Sequence, residues 1–155
     1  MTRPLAVLAT LVCVGCGGRE SLGTAAPQSI TETLTQFMTA VKANDLTRMG
    51  ELWGGERGPA VSYMKPQDLR QRLASIQVYL NHAGYRVIEG PLPVGGSANA
   101  REFRIELQRA NGCNVVFPMS LVRASSGSWF VNDVHLEALG NPARRCHPEG
   151  RGTPR

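Results

Sequence analysis

The chain has 155 residues, room for one domain with extensions and not for two full domains. It is 42% hydrophobic and 19% charged, so it can bury a core and is not disordered throughout. Arginine carries most of a net charge of +5, but aromatics are only 6%, thin for a base-stacking nucleic-acid platform, and no apolar run reaches the roughly 18 residues of a membrane span.

Thr2-Arg3-Pro4 precede an apolar run from Leu5 to Val14. About ten apolar residues behind a basic start suit a signal-peptide core. Gly15 and Cys16 follow, then Arg19-Glu20. Val14-Gly15-Cys16 resembles a bacterial lipobox, although Cys13 stands where an aliphatic residue is usual. The resemblance implies that 1–15 are a signal peptide and that Cys16 is lipidated as the new first residue. Gly17, rather than Asp, then implies an outer membrane facing the periplasm where the organism has one. An ordinary secreted protein, cut at a nearby small residue, is the alternative. Cys13 and Cys16 also spell C-x-x-C, but a redox motif belongs between a strand and a helix, not at the end of a signal core. Residues 16–28, rich in Gly, Ser, Thr, Ala and Pro, read as a lipid-anchored flexible tether. Eleven flexible residues reach roughly 18 Å.

The folded domain is expected over 29–140, helices first. Ser29-Ile30-Thr31-Glu32 is a capping-box pattern. Ile30, Leu34, Phe37, Met38 and Val41 recur at helical spacing, which predicts a helix over 30–43 closed by Asn44. Asp45 caps a short second helix from Leu46 to Leu52, with Leu46, Met49 and Trp53 as its apolar stripe and Gly54-Gly55 as its stop. Pro66 opens a third helix lined by Leu69, Leu73, Ile76 and Leu80 and ended by Gly84. Asp68 in its first turn suits the helix dipole.

From Tyr85 the period falls to two. Tyr85, Val87 and Ile88 begin a strand, and Pro93 to Ser97 form a turn cluster. Glu102 to Gln108 alternates strictly, one face apolar and one wet. Asn111-Gly112 is a hairpin turn. Val115, Phe117, Met119 and Leu121 line the next strand, Ser125 to Ser128 turn the chain, and Trp129 to Leu139 is the last strand. A two-residue turn at Ser126-Gly127 pairs Leu121 with Asn132, Met119 with Val134 and Phe117 with Leu136. The apolar faces then coincide. This register predicts Phe130, Asn132, Val134, Leu136 and Ala138 towards the helices, with Trp129, Val131, Asp133, His135 and Glu137 outward. A slip by one would bring Asp133 and His135 inside.

Helices followed by strands indicate α+β: three N-terminal helices packed on a curved antiparallel sheet of about four strands, cone-like. The element order, the Asn44-Asp45 joint, Leu52-Trp53-Gly54, Trp129-Phe130-Val131 and Leu136 to Leu139 resemble the nuclear transport factor 2-like (cystatin-like) superfamily, in the manner of exported bacterial lipoproteins. The resemblance covers about 29–140. It implies a cone whose concave face and long helix enclose a pocket, often with sheet-to-sheet dimers. It also brings in enzymes, ketosteroid isomerase-like and polyketide cyclase-like, that use a carboxylate base and a proton donor inside the cone.

Export would place the cysteines in an oxidising compartment. With Cys16 lipidated, Cys113 and Cys146 remain. The expected register sets Cys113 opposite Gly140, and Asn141-Pro142 can fold the tail back, so a Cys113–Cys146 disulfide is expected. A loop of about 34 residues would be worth roughly 3–4 kcal/mol in the chain-entropy model. Free thiols, or a bridge to another chain, are the alternatives.

No phosphate-binding glycine loop, nucleophile elbow or H-E-x-x-H pattern is present, and His82, His135 and His147 are too scattered for a metal site. No catalytic set, metal or cofactor is assigned. Tyr63 and Asn132 are the expected polar groups of the pocket, with Arg123 near its rim. Asp133 and His135, two apart, share a face; outside the cone they are a solvated or dimer-facing pair, inside it an acid and a base. Glu102, Arg104 and Glu106 form a wet outer face. Trp129, Val131 and Val116 would supply an apolar outer patch.

The reading is an exported, membrane-tethered, non-catalytic binding or interaction lipoprotein of the cell envelope. An isomerase, cyclase or hydrolase of the same fold is the first alternative, and an envelope assembly factor docking through the outer sheet face is the second. Expected partners are the membrane lipid anchor, a second copy through the sheet, and a small ligand or envelope protein, but no nucleic acid. The basic surplus is concentrated in Arg144, Arg145, Arg151 and Arg155 against Glu149, so it belongs to a basic, mostly disordered tail over 141–155 and not to the domain.

Overall fold

The computed structural model describes residues 29–144. The expected signal peptide, Cys16, the expected tether and Cys146 lie outside the described residues. Helix α1 spans Ile30–Ala43 and α2 spans Leu46–Leu52. Ser29 accepts from the Glu32 backbone N–H, and Asp45 from that of Arg48. The capping box is half made: the Glu32 carboxylate instead accepts from the Gln36 side chain at 2.9 Å. Asn44, at φ 54°, ends α1 in the left-handed conformation.

A two-residue ladder follows, β1 (Gly54–Gly55) against β2 (Gly58–Pro59). Helix α3 runs Pro66–Leu80. The main sheet is antiparallel in the order β3 (Gly84–Pro93), β4 (Ala100–Gln108), β5 (Asn114–Arg123), β6 (Trp129–Val134). This is the expected α+β architecture, an open sheet with helices on one face.

Leu34, Phe37, Met38 and Val41 of α1, Met49 and Leu52 of α2, and Leu69, Leu73, Ile76 and Leu80 of α3 bury one stripe each. They meet Phe103, Ile105 and Leu107 of β4 and Phe117, Met119 and Leu121 of β5. The core therefore fills the space between helices and sheet. On the opposite face Arg86 pairs with Glu106, and Arg104 with Glu89 at 3.2 Å, the wet surface that strict alternation predicts.

The last strand differs from expectation in two ways. It stops at Val134, and Leu136–Leu139 form a one-turn helix, α4. Leu139 is buried and Leu136 packs against the core, whereas Ala138 is exposed. Burying positions three apart needs helical and not alternating geometry. The β5–β6 register is also broken. Met119 pairs with Val134 as expected, but Leu121 pairs with Val131 and not Asn132. Gly127, at φ 90°, closes a three-residue loop, with Ala124 paired to Ser128, in place of the expected two-residue turn. Asn132 is the extra residue of a bulge.

The bulge corrects the facing of β6. Val131 and Trp129 turn to the core, so they supply no outer apolar patch with Val116. Phe130, buried at 1% exposure, lies under Gly54 instead. A Cβ on Gly54 would come within 2.3 Å of the Gly58 carbonyl oxygen and 3.0 Å of the Phe130 ring, so the close approach needs glycine.

Candidate functional site

A cleft of 380 Å³ opens between α3 and the junction of β6 with α4. Its floor is apolar: Trp53, Ile76, Val134 and Leu136. Trp53 is held there by Phe37, ring centroids 6.1 Å apart, and by a bridge of its backbone to Val131. Its rim is polar. Asp68 and Arg72 stand one turn apart on α3, with Gln71 and Ser75 beside them, and Asp133 faces them from β6. Among the described residues neither Asp68 nor Arg72 has a hydrogen-bond or ion-pair partner in its side chain.

Asp133 is tied on its own side. One oxygen accepts from the Val134 backbone N–H at 2.9 Å. The other lies 3.6 Å from Nε2 of His135, whose Nδ1 meets Glu137 at 2.9 Å. Asp133 and Glu137 are exposed, and His135 is half-buried. The Glu137 carboxyl is held below its ordinary value, first by its own backbone N–H and then by His135. His135 and Asp133 are thus neighbours at the surface, outside the packed interior.

The other expected pocket residues are elsewhere. Asn132 is exposed, because it is the bulge residue, and its Nδ2 donates to the Gly54 carbonyl at 2.9 Å. Tyr63 is 39% exposed, with the Arg57 guanidinium 4.3 Å from its ring centroid, a cation–π contact. Arg123 lines a shallow depression with Glu56 and Asn99, and its Nε donates to the Gly127 carbonyl. None enters an interior pocket, because large apolar side chains already occupy that space.

A second concavity, of 640 Å³, lies between α2 and α3 over Leu46, Gly50, Val61, Met64, Leu69 and Leu73. Cys113 ends the β4–β5 turn, where Arg109 N–H donates to its carbonyl. Arg109 is buried, and its guanidinium donates to the Leu139 carbonyl at 2.7 Å. His82 is buried at the end of α3, Nδ1 2.8 Å from the Leu80 carbonyl, edge-on to Tyr85. Desolvation pushes its pKa below 6.5; the Leu80 bond opposes this and Lys42 adds to it.

Asp68 and Arg72 escape a sequence reading, because an i, i+4 acid–base pair on a helix looks like any solvated face. Only the fold, which sets α3 beside α4 at the end of β6, shows that this face borders a cleft.

No family model matches the chain, and no curated relative matches it. Solved structures do. A protein from Campylobacter jejuni described as a nuclear transport factor 2-like transpeptidase is 12% identical, with a TM-score of 0.48, over 68% of this chain and 99% of its own. A calcium/calmodulin dependent protein kinase II association domain from Xanthomonas campestris is 12% identical, with a TM-score of 0.34, over 70% of this chain and 88% of its own. The architecture of the described residues, helices first and an antiparallel sheet after, is the one that the nuclear transport factor 2-like resemblance implies.

Proposed function

We propose that the chain is an exported, lipid-anchored domain of the bacterial cell envelope that binds a small ligand without transforming it. The cleft beside Trp53 carries this reading: an apolar floor fixed by the core, under a rim with charges of both signs. Such a lining suits recognition. Asp133 and His135, the candidate acid and base, lie at the surface and not inside the packed interior. The lipobox-like Val14-Gly15-Cys16 supports the anchor.

The tail is joined to the domain by a Cys113–Cys146 disulfide. The expected strand pairing of Cys113 with Gly140 does not exist, but another contact supports the bridge. Arg109 binds the end of α4 to the turn that carries Cys113. Cys146 lies seven positions beyond Leu139, and seven extended steps span up to roughly 24 Å.

Fractionation of cells expressing the full chain tests the anchor. The wild type is expected with the membranes and Cys16→Ser in the soluble fraction; equal solubility overturns it. Native mass spectrometry of the wild type tests the binding role through retained small molecules.

A further inference from the structure

We propose that the cleft between α3 and the β6–α4 junction binds a free α-amino acid with an apolar side chain. The inference rests on the reading of this cleft as a binding site and names the class of its ligand. Its basis is charge complementarity at three side chains. Arg72 has no ion-pair partner among the described residues, and it lines the cleft together with the carboxylates of Asp68, on its own helix, and Asp133, on β6. A plain anion would meet two carboxylates, and a plain cation would meet the guanidinium. A molecule with both charges a few ångströms apart satisfies both signs: its carboxylate on Arg72, its ammonium on Asp133 or Asp68.

The floor supplies the rest of the selection. Leu136 is half-buried and Trp53 and Ile76 show only their edges, so the apolar surface left for a side chain such as leucine's is small and centred on Leu136. The volume of 380 Å³ admits one amino acid and excludes a drug-sized or polymeric ligand lying wholly inside. One helix carries Asp68 and Arg72, both exposed, and Asp133 accepts from the Val134 N–H.

The test is calorimetric titration of the purified full chain, stripped of retained ligand, with free apolar amino acids: leucine, isoleucine, valine, methionine and phenylalanine. At least one should bind. For that one, the N-acetyl derivative and the carboxamide, each lacking one charge, should both bind about tenfold or more weakly, and glycine weaker still. Arg72→Gln and Asp133→Asn should each lower affinity by a similar factor with an unchanged melting temperature. Amide resonances of Gln71, Ser75 and Val134 should shift on binding. Absence of binding by all five, or equal affinity for the amino acid and its carboxamide, overturns the assignment. A different small molecule retained in native mass spectrometry, together with no amino-acid binding, overturns the ligand class and leaves the binding role standing. No retained ligand and no binding defeats both.

Discussion

The β4–β5 and β5–β6 hairpins turn by the same device and part company after it. Gly112 at φ 82° and Gly127 at φ 90° each close a three-residue loop, pairing Arg109 with Cys113 and Ala124 with Ser128. From the first turn the ladder runs unbroken, Gln108 with Asn114 through to Ala100 with Val122. From the second it breaks between Leu121 and Ser120. The cause is what covers the outer face. Along β4 that face is water, so alternation persists. At the start of β6 it is the β1 segment, so Phe130 and Val131 are both buried, one on each side. Without the bulge, Asp133 would then point at the core beside Met119. One extra residue at Asn132 returns Asp133 to water and Val134 to the core.

Truncating the covered residue should give the largest effect. Phe130→Ala is expected to cost roughly 3–5 kcal/mol in urea unfolding, because its site is closed by backbone that cannot easily collapse. Val116→Ala, at a 39% exposed position on the outer face of the other hairpin, is expected to stay within about 0.5 kcal/mol. Equal costs would mean that the two outer faces are alike, and the explanation of the bulge would fail.

The turns should respond alike. Gly112→Ala and Gly127→Ala each force a Cβ into a left-handed conformation, at roughly 1–2 kcal/mol. No atom lies within 4 Å of a Cβ placed at Gly112, so there the cost is conformational alone. Thermal melts of the two variants would separate a shared device from two different ones.

This contrast also sets what the sequence reveals. Glu102 to Gln108 shows its register because one face is wet along its whole length. Trp129 to Val134 does not, because burial on both faces erases the period of two. The helices read well, since Ser29, Asp45 and Pro66 mark their starts locally. The cleft does not, because Asp68, Arg72 and Asp133 are brought together by packing across the chain. Cys113 and Arg109 show the same limit: the residue that ties α4 to their turn carries no local signal.

Asn132→Ala is a smaller perturbation, about 1 kcal/mol, from loss of the bond to the Gly54 carbonyl. Amide exchange should speed up in β1 and its neighbours and leave the β4–β5 ladder unchanged. Faster exchange throughout the sheet would show instead that Asn132 sets the register of β6.

The ends of the hairpins differ in the burial of their histidines as well, and pH tests the buried one. His135, beyond β6, is half-buried between the Asp133 and Glu137 carboxylates, whereas His82 is buried beside the turn end of the β4–β5 hairpin, where Ala83 N–H donates to the Gln108 carbonyl at 2.8 Å. Burial lowers the pKa of His82 in the folded chain below 6.5. On acidification through that value the unfolded chain takes up a proton that the folded chain does not. Stability from this group is therefore complete above about pH 7.5 and declines as pH falls through 6.5, until the folded imidazole itself titrates. Urea midpoints between pH 8 and 5.5 should fall for the wild type and fall less for His82→Phe, whose ring keeps the contact with Tyr85 and removes the proton site. Equal slopes would place the sensitivity elsewhere, and an NMR titration of the His82 ring at or above 6.5 would refute the cost of its burial.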